Sequence, residues 1–242
     1  MVKQNCADEI VRQLKLLADE EKRNFLPRFF KTGKGEYGEG DKFLGVVVPR
    51  VRSVVKQYRK TDFETITDLL TSSWHEVRLC GLLLLVDNYK RGDDTLRKQI
   101  FEYYLSHTEG INNWDLVDLS APYIVGAYLV GRSEEEHKIL YRLANSHSLW
   151  EQRIAVVSTI AFIRSNDYED ILHLAELLIQ HPHDLMHKAI GWMLREVGKR
   201  NETVLRSFLD IHDRVCRDLG TANTALAYKI RKSHSVFFFS IY

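Results

Sequence analysis

The segment INNWDLVDLSAP (111–122) places an indole and two carboxylates, Trp114, Asp115 and Asp118, in what reads as one helix. Trp114 and Asp118 stand four residues apart and so share a face, whereas Asp115 points elsewhere and is expected to serve the helix start. Pro122 lacks the N–H that would bond the Asp118 carbonyl, so the helix should bend or end there. Charged side chains are seldom fully buried unless paired. Asp118 therefore has two readings: half of an ion pair with Arg153, or a carboxylate aimed into a binding groove. A second stripe, Lys188, Trp192, Arg195 and Lys199, occupies i, i+4, i+7 and i+11 of DLMHKAIGWMLREVGK. Met186, Ile190, Leu194 and Val197 take the opposite side and are expected to form the core contact. Cations around an indole suit a surface that grips phosphates and meets a sugar or base with a ring. The plainer reading is a solvated charged face whose tryptophan a neighbouring repeat covers.

The elements that must position these groups are helices. Apolar residues recur at helical spacing, as in Ile10, Leu14, Leu17 and in Ile171, Leu174, Leu178, and strict alternation is almost absent. An internal repeat sets the architecture. SSWHEVRLCGLLLLV (72–86) and HSLWEQRIAVVSTIA (147–161) each carry a capping-box pattern, Ser73 with Glu76 and Ser148 with Glu151, then an arginine two residues on and an apolar run. DLMHKAIGWMLREV and NNWDLVDLSAPYIVGAYL align with them, the latter with Asn112 and Asp115 able to form a related cap. The aligned positions Arg78, Asp118, Arg153 and Lys188 are 40, 35 and 35 residues apart, the period of HEAT-like helix pairs. The expected fold is an all-α, HEAT-like α-solenoid spanning residues 1–242 as a single repeat domain, with these four positions in a row on a concave face.

Three further patterns are weaker. TGKGEYGEGDKFLG (32–45) contains GxGxxG at Gly33, Gly35 and Gly38. A helix rather than a strand precedes it, so it reads as a mobile Gly-rich loop, about 32–42, and no dinucleotide is expected. His183 and His187 have a zinc-compatible spacing without a Glu or a third ligand, so they read as ordinary helix-start histidines. RSEEEHK (132–138) starts a helix at Ser133, with Glu136 closing a capping box. Composition narrows the class. The 34 Lys and Arg against 33 Asp and Glu leave a net charge of +1, so any nucleic-acid surface must be local. Cys6, Cys80 and Cys216 are scattered and odd in number, as expected of reduced thiols in the cytoplasm. The longest apolar runs are too short to span a bilayer, and no membrane partner is expected.

NNWDLVD, LWEQRIAV and KAIGWMLRE together resemble the signature segments of the AlkD-type alkylpurine DNA glycosylases, in order and over roughly residues 5–205. The resemblance implies a HEAT-like solenoid that binds duplex DNA and hydrolyses the N-glycosidic bond of N3- or N7-alkylated purines. By motif, Asp118 would be the catalytic carboxylate, Trp114 and Trp192 the aromatic walls around the lesion, Arg153 the phosphate-gripping arginine and Arg195 a second backbone contact. Lys188, in the arginine position of its repeat, is grouped with them. The chain departs from the family at Phe29, where some relatives have tyrosine, and in TANTALAYK (221–229), where Asn223 and Ala227 replace proline and arginine. An alkylated purine already carries positive charge and leaves without a general acid. One carboxylate can stabilise the oxocarbenium-like sugar and position water. The expected protein is a monomeric base-excision DNA-repair hydrolase without cofactor or metal. The alternative is a non-catalytic HEAT-like scaffold that binds DNA or protein.

Overall fold

A computed structural model describes residues 6–218. The described residues are helical apart from turns and connecting segments, with a single isolated β-bridge between Lys42 and Trp74. In chain order the helices are α1 (Cys6–Leu16), α2 (Glu20–Phe29), α3 (Val48–Gln57), α4 (Phe63–Leu70), α5 (His75–Arg91), α6 (Asp94–Ser106) and α7 (Trp114–Asp118). After a π-turn at Pro122–Gly126 come α8 (Ala127–Leu129), α9 (Glu134–Ala144), α10 (Leu149–Ser158), α11 (Ile160–Arg164), α12 (Glu169–Leu178), α13 (Asp184–Gly198) and α14 (Glu202–Asp218). They form two compact units, one ending at Ser120 and the other beginning at Ala121.

Each repeat segment picked out in the sequence begins a helix: α5, α7, α10 and α13, each preceded by its partner, α4, α6, α9 and α12. Within the first unit α5 packs on α4, α3 and α6; within the second, α10 packs on α9 and α13, and α13 on α12 and α14. Short connections make these pairs antiparallel, as expected for the α-solenoid class. The middle of α5, residues 79–86, is apolar on all sides because it is enclosed on all sides: Leu79, Leu82, Leu84 and Leu85 are each 2 % exposed or less. Burying such side chains stabilises by about 1.5–3 kcal/mol each. In α13, Met186, Ile190, Leu194 and Val197 are fully buried as the pattern requires.

Caps start most helices. Asp19, Asp62 and Asp93 accept backbone N–H bonds at α2, α4 and α6, and Ser133 with Glu136 forms the expected box at α9. At α10, Ser148 Oγ accepts from Glu151 N at 3.4 Å. The box expected at Ser73 does not form, because Glu76 is recruited elsewhere. Its buried carboxylate accepts from the backbone N–H groups of Leu44, Gly45 and Val46 at 2.9, 2.8 and 3.1 Å. That bond set corrects the reading of the Gly-rich segment as a mobile loop throughout. Residues 31–37 are turns at the surface, but Asp41, Phe43, Leu44, Gly45 and Val46 are buried and fastened to α5. Gly45 has φ +86°, and a Cβ there would lie 2.1 Å from the Asp19 carbonyl oxygen, so only glycine fits between this segment and the start of α2.

Candidate functional site

In the first unit the site residues lie on α7, which Asn113 caps by accepting from Trp114 N at 2.9 Å. This helix is five residues long and ends at Asp118, with Leu119 as its cap. Its end therefore falls where Pro122 led the sequence to expect one. Trp114 and Asp118 are both half-buried, at opposite ends of the one turn. The Trp114 ring stacks on Phe30 (centroids 5.4 Å apart, planes 19°) and meets Phe29 edge-on at 6.1 Å. Phe29 stacks in turn with the exposed Phe25 at 6.0 Å. Behind Asp118, Tyr104 Oη lies 2.8 Å from Ser120 Oγ, which donates to the Leu116 carbonyl. Burial pushes the Tyr104 phenol well above its ordinary range; the Ser120 hydrogen bond opposes that shift and the negative charge of Asp118 adds to it.

Asp115 is not a cap. It is 3 % exposed, and its Oδ2 lies 2.8 Å from Nε2 of His75 at the first position of α5. The other ring nitrogen, Nδ1, is 3.0 Å from Asp41 Oδ2. Asp41 also takes a 2.6 Å bond from Arg78 Nη2, which reaches Asn112 Oδ1 at 2.9 Å, and a 3.4 Å bond from Asn113 Nδ2. Both imidazole nitrogens face carboxylates that can only accept, so both carry protons and the ring is an imidazolium. Burial alone would lower the His75 pKa, but Asp115 and Asp41 reverse that and raise it to about 9. Asp41 is pushed up by burial and drawn further down by His75 and Arg78, so it stays ionised below the usual carboxylate range. Phe30 and Phe43 cover the imidazolium, each with its centroid 4.8 Å away. The charges of Asp41, Asp115, His75 and Arg78 sum to zero, which lets the group stay dry. None of this was visible in the sequence, because Asp41, His75 and Asp115 come from segments 34 and 40 residues apart.

In the second unit, Arg153 on α10 is only 5 % exposed, and its Nη1 donates to the Leu185 carbonyl at 2.7 Å. It thereby holds the first turn of α13, the helix that carries the remaining candidates. Lys188 is exposed and paired with Asp184 at 2.7 Å, Trp192 and Arg195 are half-buried, and Lys199 is exposed. All four lie on the side of α13 away from its core residues, as expected. Glu196 draws this cluster together: Lys199 and Arg200 bond it at 2.7 and 3.3 Å, and Arg195 Nε lies 3.9 Å away. Partial burial raises the Glu196 pKa, and Lys199 and Arg200 lower it by more. Exposed pairs such as Lys188–Asp184 are weak and can be exchanged for another anion.

His183 caps α13 by accepting from Leu185 N at 3.2 Å, while His187 is 9 % exposed with neither ring nitrogen hydrogen-bonded. Among the described residues no cluster of three or more His, Cys, Asp or Glu could hold a metal ion, and no helix is long and apolar enough to cross a membrane. The departures noted at 221–229 lie outside the described residues.

Comparison with known proteins accords with these features. The family model for DNA alkylation repair enzymes matches residues 10–226, and the chain belongs to that family. Membership implies binding to DNA. Among solved structures the chain resembles a predicted DNA alkylation repair enzyme from Enterococcus faecalis, with a TM-score of 0.65 and 14 % sequence identity over 90 % of this chain and 97 % of that one. At that identity the likeness establishes the shared all-helical fold. No curated protein matches the sequence.

Proposed function

We propose that this family member is a DNA glycosylase that removes positively charged N3- or N7-alkylated purines from duplex DNA. The observation that carries the reading is Asp118: a half-buried carboxylate at the C-terminal end of a one-turn helix that also carries an indole, in a chain of the DNA alkylation repair family. In the proposed reaction the C1′–N bond breaks and its electron pair neutralises the cationic base, so no acid is needed. Asp118 stabilises the electron-poor sugar as that bond lengthens and orients the water whose oxygen bonds to C1′. The water proton passes to the carboxylate or to solvent, leaving an abasic site for base-excision repair. Trp114 and Trp192 offer π-faces to the cationic base and sugar. Lys188 and Arg195 meet the phosphates by exchanging Asp184 and Glu196 for DNA, and Arg153 supports them by setting the start of α13.

The test is release of N7-methylguanine from methylated duplex DNA by the native protein and by Asp118→Asn. Native release that falls at least 100-fold in the variant, with duplex binding retained, is expected; a loss of that order is typical of removing one electrostatic stabiliser. Native protein that binds duplex but frees no base would instead support the non-catalytic scaffold.

A further inference from the structure

A five-residue helix cannot hold its own geometry, because one turn of backbone bonding does not offset the entropy of fixing it. Helix α7 must therefore take its position from its surroundings, and the contacts at its start are specific. Asn112, Asn113 and Asp115 all bond into the buried group formed by Asp41, His75 and Arg78. His75 is the centre of that group. It is 2 % exposed, bridges Asp41 to Asp115, and packs against both Phe30 and Phe43, which also stack on each other. Phe30 is also the ring on which Trp114 stacks. The same imidazolium thus reaches both proposed reacting groups: Trp114 through the Phe30 ring, and Asp118 through Asp115, three residues earlier on the same turn.

We infer that His75 is a positioning residue for the site, an imidazolium strut that fixes the tilt of α7 and with it the Asp118 carboxylate and the Trp114 ring. The inference rests on the glycosylase reading for its kinetic consequence, but its structural content stands apart from that reading. Neutral substitutes cannot reproduce the strut. A glutamine at 75 could donate to one carboxylate while leaving the other buried without its partner. Among the described residues no ionisable side chain other than Asp41 and Asp115 bonds the ring; Arg78 lies behind Asp41, and the neighbouring Glu76 is turned to the Leu44–Val46 backbone.

The experiment compares native protein, His75→Gln, Asp115→Asn and Ile66→Val, the last a core truncation in α4 that lowers stability without touching the group. Single-turnover base release is measured with saturating enzyme at a temperature where circular dichroism shows each variant folded. The 19F resonance of 5-fluorotryptophan at position 114, assigned with Trp114→Phe, is recorded alongside. His75→Gln and Asp115→Asn are expected to slow release about 100-fold, the effect of an ångström-scale misplacement, with duplex affinity unchanged and the Trp114 resonance shifted. Ile66→Val is expected to leave both at native values. A folded His75→Gln with the native rate and resonance overturns the inference. If it does not fold, Asp115→Asn decides by the same two readouts. If native protein frees no base, the glycosylase reading fails. The strut is then judged by the resonance alone, and an unmoved Trp114 signal in the variants would overturn it too.

Discussion

At the scale of single residues, the buried charges behind Trp114 tie stability to pH. The His75 pKa is raised from 6.5 to about 9, so its contribution is complete below pH 6.5 and is lost as pH climbs through 9. That displacement corresponds to roughly 3 kcal/mol. The melting temperature should fall across that window in the native protein and stay nearly flat in His75→Gln. Asp41 works in the opposite sense. Its pKa is held below the usual carboxylate range, so its stabilisation is present at neutral pH and lost on acidification. His187 makes a different prediction. A buried imidazole with neither nitrogen bonded costs about 1–3 kcal/mol. His187→Met, which keeps volume and drops the polar atoms, should therefore raise the melting temperature.

At the scale of elements, the positions that repeat could be read from the sequence and the tethers between them could not. That a helix begins in each of the four segments, the core side of α13 and the end of α7 before Pro122 all follow from local pattern, whereas the caps expected at Ser73 and at Asn112 with Asp115 do not form. The partners of Asp115 and Glu76 do not follow from it, because a capping-box motif looks the same whether its glutamate turns back to its own helix or reaches a segment 30 residues away. Tertiary donors won at Glu76 because three converging N–H groups outbid one helix end. Glu76→Gln should destabilise the first unit by about 2 kcal/mol, measurable by urea titration, since an amide accepts these bonds less strongly and brings a donor into their midst. Limited proteolysis should then open the chain first near residues 41–46.

At the scale of the whole molecule, a net charge of +1 gives almost no long-range pull toward DNA, so affinity must come from particular cations. Arg195→Ala should weaken duplex binding evenly across sequences and reduce the slope of log affinity against log salt by about 1, read by fluorescence anisotropy. The fold and family were foreshadowed by three separated motifs, and the Lys188–Asp184 pair by its i,i+4 spacing on α13, whereas the long-range bonds of Arg153 to Leu185 and of His75 to Asp41 and Asp115 were not. The most exacting position in the first unit carries no functional group at all. Gly45 lets two stretches of main chain touch where even a methyl would wedge them apart. A variant with alanine there should be a poor enzyme with every reactive side chain intact, so a screen of inactivating mutations would flag a residue that no inspection of chemistry would select.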